Sequence, residues 1–215
     1  MSATGAVLSG FKIRELLEHE DHHQRLIVSP ILEPEEQLRD EQASIDVRLG
    51  SLFFLVSPSG FTAIDEYSRR SNSVISKDFH PLYREDYVPI GKGFVIHPHQ
   101  FVLATTLEYL RLPKNLTASV VGRSTLGRLG LIVATAVGVH PLYAGVLTLE
   151  LRNLGESPIR LYPGQTIAQL FLQWVDTPAS GRSTTGQYTG SVDPIPRTIS
   201  GRKTKKVIRK FMSSI

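Results

Sequence analysis

Between two glycines the chain reads Gly122-Arg123-Ser124-Thr125-Leu126-Gly127-Arg128-Leu129-Gly130. Two guanidinium groups, two hydroxyls and a glycine-flanked backbone suit a segment that grips an oxyanion such as a phosphate chain. The same residues also suit a surface turn with two solvated arginines, and the segment alone leaves both readings open. Further on comes Val146-Leu147-Thr148-Leu149-Glu150-Leu151-Arg152-Asn153. In a strand, Leu147, Leu149 and Leu151 point to one side and Thr148, Glu150 and Arg152 to the other. Glu150 is then either half of a surface ion pair, worth little, or a placed carboxylate fit for general acid–base work. A third pattern, His19-Glu20-Asp21-His22-His23, matches the H-E-x-x-H of zinc proteases. On a helix its histidines would share a face. The apolar spacing that would carry the helix stops at Leu17, so these residues read as a charged loop and no metal site is expected.

These residues need elements to hold them. Residues 9–19 read as a short helix capped by Ser9, with Ile13, Leu16 and Leu17 on its apolar face. From about residue 26 onward short apolar runs are separated by Gly, Pro, Asn and Ser. They include Leu26-Ile27-Val28, Leu52 to Val56, Phe94-Val95-Ile96, Phe101-Val102-Leu103, Val146 to Leu151 and Ile167 to Leu172. Many short strands at this spacing predict a sandwich or barrel-like β domain rather than a βαβ protein. Residues 35–43 read as a turn of helix or a charged loop. Residues 177–191, rich in Gly, Ser and Thr, read as a flexible segment.

Composition narrows the classes. The chain has 215 residues, 41% hydrophobic and 20% charged, as an ordinary folded domain has. It contains no cysteine, which excludes disulfide scaffolds, thiolate zinc sites, cysteine nucleophiles and iron–sulfur clusters. The most apolar stretch, residues 129–139, is far below the roughly 18 residues a membrane-spanning helix needs. No secretory signal opens the sequence, so the cytoplasm is the expected location. The net charge of +4 comes from 24 basic and 20 acidic residues. Six of the basic ones (Arg202, Lys203, Lys205, Lys206, Arg209, Lys210) lie in residues 200–215; without them 18 stand against 20. The body is therefore slightly acidic and not a nucleic-acid surface. The tail places Val207, Ile208, Phe211, Met212 and Ile215 on one helical face. Packing on a neighbouring subunit or fraying is favoured for it over membrane contact.

Three more runs complete a pattern. Ser44-Ile45-Asp46-Val47-Arg48-Leu49-Gly50 lies upstream, and Leu107-Glu108-Tyr109-Leu110-Arg111-Leu112-Pro113 follows. Pro163-Gly164-Gln165-Thr166-Ile167-Ala168-Gln169-Leu170 lies beyond the glutamate strand. In this order and spacing the set resembles the superfamily of deoxycytidine triphosphate (dCTP) deaminases and deoxyuridine triphosphatases, and more closely its deaminase branch. The resemblance covers roughly residues 8–199, and several motifs in fixed order are more specific than any one of them.

The resemblance implies a mainly β fold, the distorted jelly-roll or β-clip, as a single domain over 1–199 with a short N-terminal helix. It implies a homotrimer with active sites between subunits, and residues 200–215 as an added tail. The implied reaction is hydrolytic deamination of dCTP to dUTP and ammonia without zinc, the metal of other nucleobase deaminases, whose cysteine ligands are missing here. Magnesium would accompany the triphosphate. By resemblance Glu150 activates the attacking water, Ser124 and the carbonyl of Ala136 hold it, and Arg128 stabilises charge beside it. Arg123, Thr125, His140, Gln187, Tyr188 and Ser191 fall at substrate-binding positions. Three of these depart from the family pattern. Val139-His140-Pro141-Leu142 stands where the family has Ile-Asp-Pro-Gly, and Gln187-Tyr188-Thr189-Gly190-Ser191 where it often has Lys-Tyr-x-Gly-Gln. A neutral imidazole accepts a hydrogen bond but supplies no carboxylate charge. Two alternatives follow: hydrolysis of dUTP, alone or after deamination, and a nucleotide-binding or regulatory homologue without turnover.

Overall fold

The computed structural model describes residues 5–56, 83–176 and 178. The chain divides into two units, residues 1–55 with 85–194, and residues 56–84 with 195–215. Of the second, only residues 56, 83 and 84 are among those described. The segment 177–191, apart from residue 178, and the basic tail lie outside the described residues.

The chain enters through helix α1 (Gly10–Leu17), whose first turn is capped by Ser9: its hydroxyl accepts from the Lys12 amide at 3.3 Å. Ile13 and Leu16 are buried, as the apolar spacing predicts. The helix ends at Glu18, and the chain then turns on Asp21, whose carboxylate accepts from the His23 amide (2.8 Å) and the Gln24 side chain (2.9 Å). These bonds, the Gln24 one foremost, hold the Asp21 carboxyl below its ordinary pKa. His19 and His23 therefore share no helix face, and the zinc-protease geometry does not form.

Strands follow as the alternating runs predict: β1 (Ile27–Ser29), β2 (Ile45–Val56), β3 (Tyr83–Tyr87), β4 (Phe94–Ile96) and β5 (Phe101–Arg111). After them come β6 (Leu116–Gly122), β7 (Leu131–Val133), β8 (Gly138–Val139), β9 (Ala144–Asn153), β10 (Ile159–Leu161) and β11 (Thr166–Trp174). Two single helical turns interrupt them, α2 (Pro34–Gln37) and α3 (Ser124–Gly127). The expectation of a mainly β protein with a short N-terminal helix holds. Among the described residues no helix is long and apolar enough to cross a membrane.

The main sheet runs β7-β9-β5-β2-β11-β6-β8, with β1 added to β5 and β3 to β2. Neighbours along this order, and β1 with β5, pair antiparallel. β2 serves both halves: Ile45 to Arg48 pair with β11, and Leu49 to Leu55 with β5. Register shifts break the ladders between Leu49 and Phe53, Thr105 and Tyr109, and Thr166 and Ala168. Such irregularities bend a strand and tighten its twist. The bending is large. β7 and β8 stand at opposite ends of the strand order, yet only residues 134–137 join them. Five Cα steps span at most about 17 Å. The sheet is therefore rolled until its two ends meet, and residues 134–137 bridge the seam. The core inside is aliphatic, with Phe53 stacked on Phe94 (centroids 4.3 Å apart) and Ile45, Leu49, Leu110, Leu149 and Leu151 essentially inaccessible.

Candidate active site at the seam of the rolled sheet

β6 delivers Arg123. The ladder of β6 with β11 runs to Gly122 opposite Ala168, and the Arg123 amide adds a bond to the Ile167 carbonyl (3.1 Å). The chain then folds into α3, anchored by buried Leu126. The Leu126 and Gly127 amides both reach the Arg123 carbonyl (3.1 and 3.0 Å), and the Arg128 amide reaches the Ser124 carbonyl (3.0 Å). This tight turn leaves Ser124, Thr125 and Arg128 exposed. Among the described residues their side chains make no hydrogen bond or ion pair.

Gly130 fixes where the turn sits. Its φ of +96° is a left-handed conformation, and a Cβ there would lie 2.6 Å from the Gly155 nitrogen. The turn is thus pressed on the 154–155 corner, with the Leu154 amide on the Gly130 carbonyl at 2.8 Å. Buried Asn153 holds that corner: its amide nitrogen donates to the carbonyls of Ile96 (3.1 Å) and Ser157 (2.9 Å), and its oxygen accepts from the Gly155 amide (2.9 Å).

β7 then lies along β9, with Val133 opposite Leu151. A Cβ on Gly122 would touch the Val133 Cγ2 at 3.1 Å, so the entry to α3 backs directly on this strand. Past β7 the Ala134 amide reaches the Glu150 carbonyl (2.7 Å). Thr135 straddles Leu149: its hydroxyl accepts from the Glu150 amide (3.0 Å) and donates to the Thr148 carbonyl (3.3 Å). Ala136 follows, exposed, in the bridge across the seam.

β9 alternates as its sequence predicts: Leu147, Leu149 and Leu151 are buried, Thr148 and Glu150 half-buried and Arg152 exposed. Across the sheet Glu150 stands opposite buried Leu103, which stands opposite buried Phe54. Burial raises the Glu150 pKa above its ordinary value. No side-chain partner is present for its carboxylate among the described residues. A half-buried, unpaired carboxylate with a raised pKa is the electrostatic profile of a proton-transfer group.

α3 carries Ser124 and is closed by Arg128, the bridge carries Ala136, and β9 carries Glu150; β7 is paired to β9, and the Ala134 amide ties the start of the bridge to the Glu150 carbonyl. Arg123 turns another way. The Arg123 guanidinium reaches Asp46 on β2, Nη1 lying 3.2 and 3.1 Å from the two carboxylate oxygens. It lines a cleft of about 280 Å³ with Gln37, Arg39, Gln42, Asp46 and Arg48. His140 is exposed just past β8. It opens a turn closed by the Tyr143 amide on the His140 carbonyl (3.2 Å), and Leu142 within it has φ +64°. Burial pushes the Tyr143 pKa up to about 12, its hydroxyl donating to the Val146 carbonyl at 2.6 Å. Gln187, Tyr188 and Ser191 lie outside the described residues.

Two participants carry no functional motif in the sequence. Thr135 has no motif of its own, and its role follows only from the pairing of β7 with β9. Asp46 stood in a recognised run without a function; its signal is a charged residue among inaccessible Ile45, Val47 and Leu49.

Known proteins share this pattern. The sequence profile of the dCTP deaminase-like family matches residues 7–175. A protein of Methanobrevibacter smithii named "dCTP deaminase, dUMP-forming" is 37% identical over 175 residues, covering 81% of this chain and 83% of that one. A Natronomonas pharaonis protein named "dCTP deaminase" is 37% identical over 199 residues, covering 91% and 95%. Among solved structures, the 2′-deoxycytidine 5′-triphosphate deaminase of Agrobacterium tumefaciens shares the fold, with a TM-score of 0.58 and 22% identity. That likeness covers 80% of this chain, which spans about half (49%) of the solved chain. The rolled antiparallel sheet, the ordered motifs and these relatives agree: the chain belongs to the dCTP deaminase-like family.

Proposed function

We propose that this chain hydrolytically deaminates dCTP, releasing ammonia and dUTP. The observation that carries the proposal is the Glu150 carboxylate, half-buried, unpaired among the described residues and raised in pKa, on the strand paired with β7 and tied to the bridge that carries Ala136. The names of the relatives support the substrate.

In this reading Ser124 and the Ala136 carbonyl hold a water beside the cytosine ring carbon that bears the amino group. Glu150 takes a proton from the water as its oxygen bonds to that carbon, then passes the proton to the amino nitrogen. The carbon–nitrogen bond breaks, ammonia leaves, and the added oxygen becomes the new carbonyl of uracil as its remaining proton moves to ring N3. Arg128 stabilises the charge on the ring during attack. The carboxylate does the work that zinc does in other nucleobase deaminases, in a chain with no cysteine to hold zinc. Arg123, Thr125 and His140 hold the nucleotide, with Gln187, Tyr188 and Ser191 at further substrate positions. Magnesium arrives on the triphosphate, held by the substrate's own oxygens.

The assembly in this reading is the homotrimer with shared active sites that the family resemblance implies, and exposed apolar side chains support an interaction surface. Leu129, Ile132, Val137 and Leu154 stand 40–62% exposed on the elements that build the seam. Large apolar side chains left exposed on adjoining elements favour an interaction surface.

A second reading has support of its own. Relatives named dUMP-forming imply that some members also cleave the phosphate chain. His140 weighs against that step here, because an imidazole brings no carboxylate to a second water. The test is a chromatographic assay of dCTP, dUTP, CTP and dCMP with magnesium, beside the Glu150→Gln variant. dUTP and ammonia from dCTP, lost in the variant, support the proposal. A dUMP peak supports the second reading. Tight nucleotide binding with no product would make the chain a regulatory homologue.

A further inference from the structure

Asp46 is held from several sides by groups that do no chemistry of their own. Its side chain is 11% exposed, and Oδ1 accepts from Gln169 Nε2 at 3.0 Å as well as from Arg123 Nη1. The Gln169 amide is oriented in turn by Ser44 Oγ (3.3 Å). The Asp46 carbonyl accepts from Gln37 Nε2 (2.9 Å), which also holds the inaccessible Glu108 carboxylate (3.0 Å). Glu108 fixes Arg48 through both its amide and its Nε, each at 2.8 Å. β11 thus holds the Asp46 carboxylate directly, while α2 holds its backbone carbonyl and the Glu108 of β5 that fixes the neighbouring Arg48.

The Asp46 carboxylate spends little of Arg123. Both contacts fall on Nη1, and Nε and Nη2 have no partner among the described residues. The guanidinium is 36% exposed and lines the 280 Å³ cleft, while its backbone is pinned to Ile167. A guanidinium fork gripped by one nitrogen keeps its other edge for a bidentate oxyanion. An arginine left unheld would lose rotamer freedom on binding, and orienting it in advance removes part of that cost.

We propose that Asp46 is a positioning residue: it holds Arg123 by one nitrogen, oriented by Gln169, so that the free edge of the guanidinium meets the anionic tail of the substrate. This rests on the reading that Arg123 contacts the nucleotide. It makes a counterintuitive prediction, because removing a negative charge beside a phosphate site ordinarily strengthens anion binding.

The test is calorimetric titration in the Glu150→Gln background, which keeps the substrate intact. The probes are dCTP with magnesium and inorganic triphosphate with magnesium. Asp46→Asn is expected to weaken both about tenfold, and Gln169→Leu, which keeps every charge, about threefold. Arg123→Ala weakens both, and adding Asp46→Asn to it changes nothing further, because Asp46 acts through Arg123. A merely structural role would move the thermal midpoint and leave the double variant additive. Unchanged or tighter binding in Asp46→Asn, or additivity in the double variant, overturns the proposal, as does a parent that binds neither probe. A parent that binds triphosphate but not dCTP, with the double variant non-additive, leaves the positioning role standing and removes the deaminase reading instead.

Discussion

The Thr135 hydroxyl accepts a hydrogen bond from the Glu150 amide at 3.0 Å. It also donates to the Thr148 carbonyl at 3.3 Å, so one side chain clamps the strand on both sides of Leu149. The residue that carries the clamp immediately precedes Ala136. The backbone proposed to hold the water is thereby tied to the strand that holds the base.

Replacing Thr135 by Val keeps its branched shape and removes both bonds. About 1–2 kcal/mol of stability should be lost, mainly because the Glu150 amide is left unsatisfied. The effect on turnover should be larger, since Glu150 and Ala136 lose their shared register. Steady-state kinetics on Thr135→Val should show kcat falling at least tenfold with KM little changed. An unchanged kcat would mean that the clamp only holds the fold.

The raised pKa of Glu150 sets the acid side of the pH profile. A general base works ionised, so activity falls as pH drops through the raised value. The acid limb of kcat/KM should have its midpoint above the ordinary glutamate value of about 4.3. The stability effect has the opposite sense. A carboxyl whose folded pKa lies above its unfolded one contributes stability below the unfolded pKa, and loses it as pH rises through the folded pKa. Glu150→Gln should then be no less stable than the parent at neutral pH. Denaturant melts of both proteins at acid and neutral pH check this, and a variant destabilised only at neutral pH would show that Glu150 has a stabilising partner.

Leu142 occupies a left-handed conformation, φ +64°, that favours glycine. A side chain there costs about 1–2 kcal/mol. Glycine relieves it but loses more chain entropy on folding, about 0.5–1 kcal/mol. Leu142→Gly should therefore hold or raise stability by up to about 1 kcal/mol, and Leu142→Val should lower it by at least as much. Urea melts decide this, and a clear loss in the glycine variant would show that the leucine side chain earns its place by packing.

The Arg48–Glu108 pair is buried at both ends, 8% and 0% exposed. Glu108→Leu strands the arginine and should cost about 3–5 kcal/mol. Adding Arg48→Met should recover most of that loss, because a matched apolar pair carries no unpaired charge. Equal losses in the single and double variants would show that the pair itself, and not its balance, stabilises the protein.

Local pattern carried far in this sequence. The alternation of leucines with Thr148, Glu150 and Arg152 places the glutamate on the polar face of its strand, and Ser9 with Ile13 and Leu16 places the first helix. Each depends on neighbours within a turn or two. The roll of the sheet depends on partners far apart, and no local spacing shows that β7 and β8 meet. Arg123 is the sharpest case: its motif reads as part of one cluster with Ser124 and Arg128, yet its side chain is drawn to Asp46, 77 residues earlier. The left-handed backbone at Leu142 is equally hidden, because leucine gives no sign of it.

One incubation decides whether Glu150 activates the attacking water. The protein with dCTP and magnesium, beside Glu150→Gln, is followed by chromatography and by ammonia release. One ammonia per dCTP consumed, uracil nucleotide as the product, and loss of both in a variant that remains folded is the expected result. Full deamination by folded Glu150→Gln would contradict it, because another group would then be activating the water.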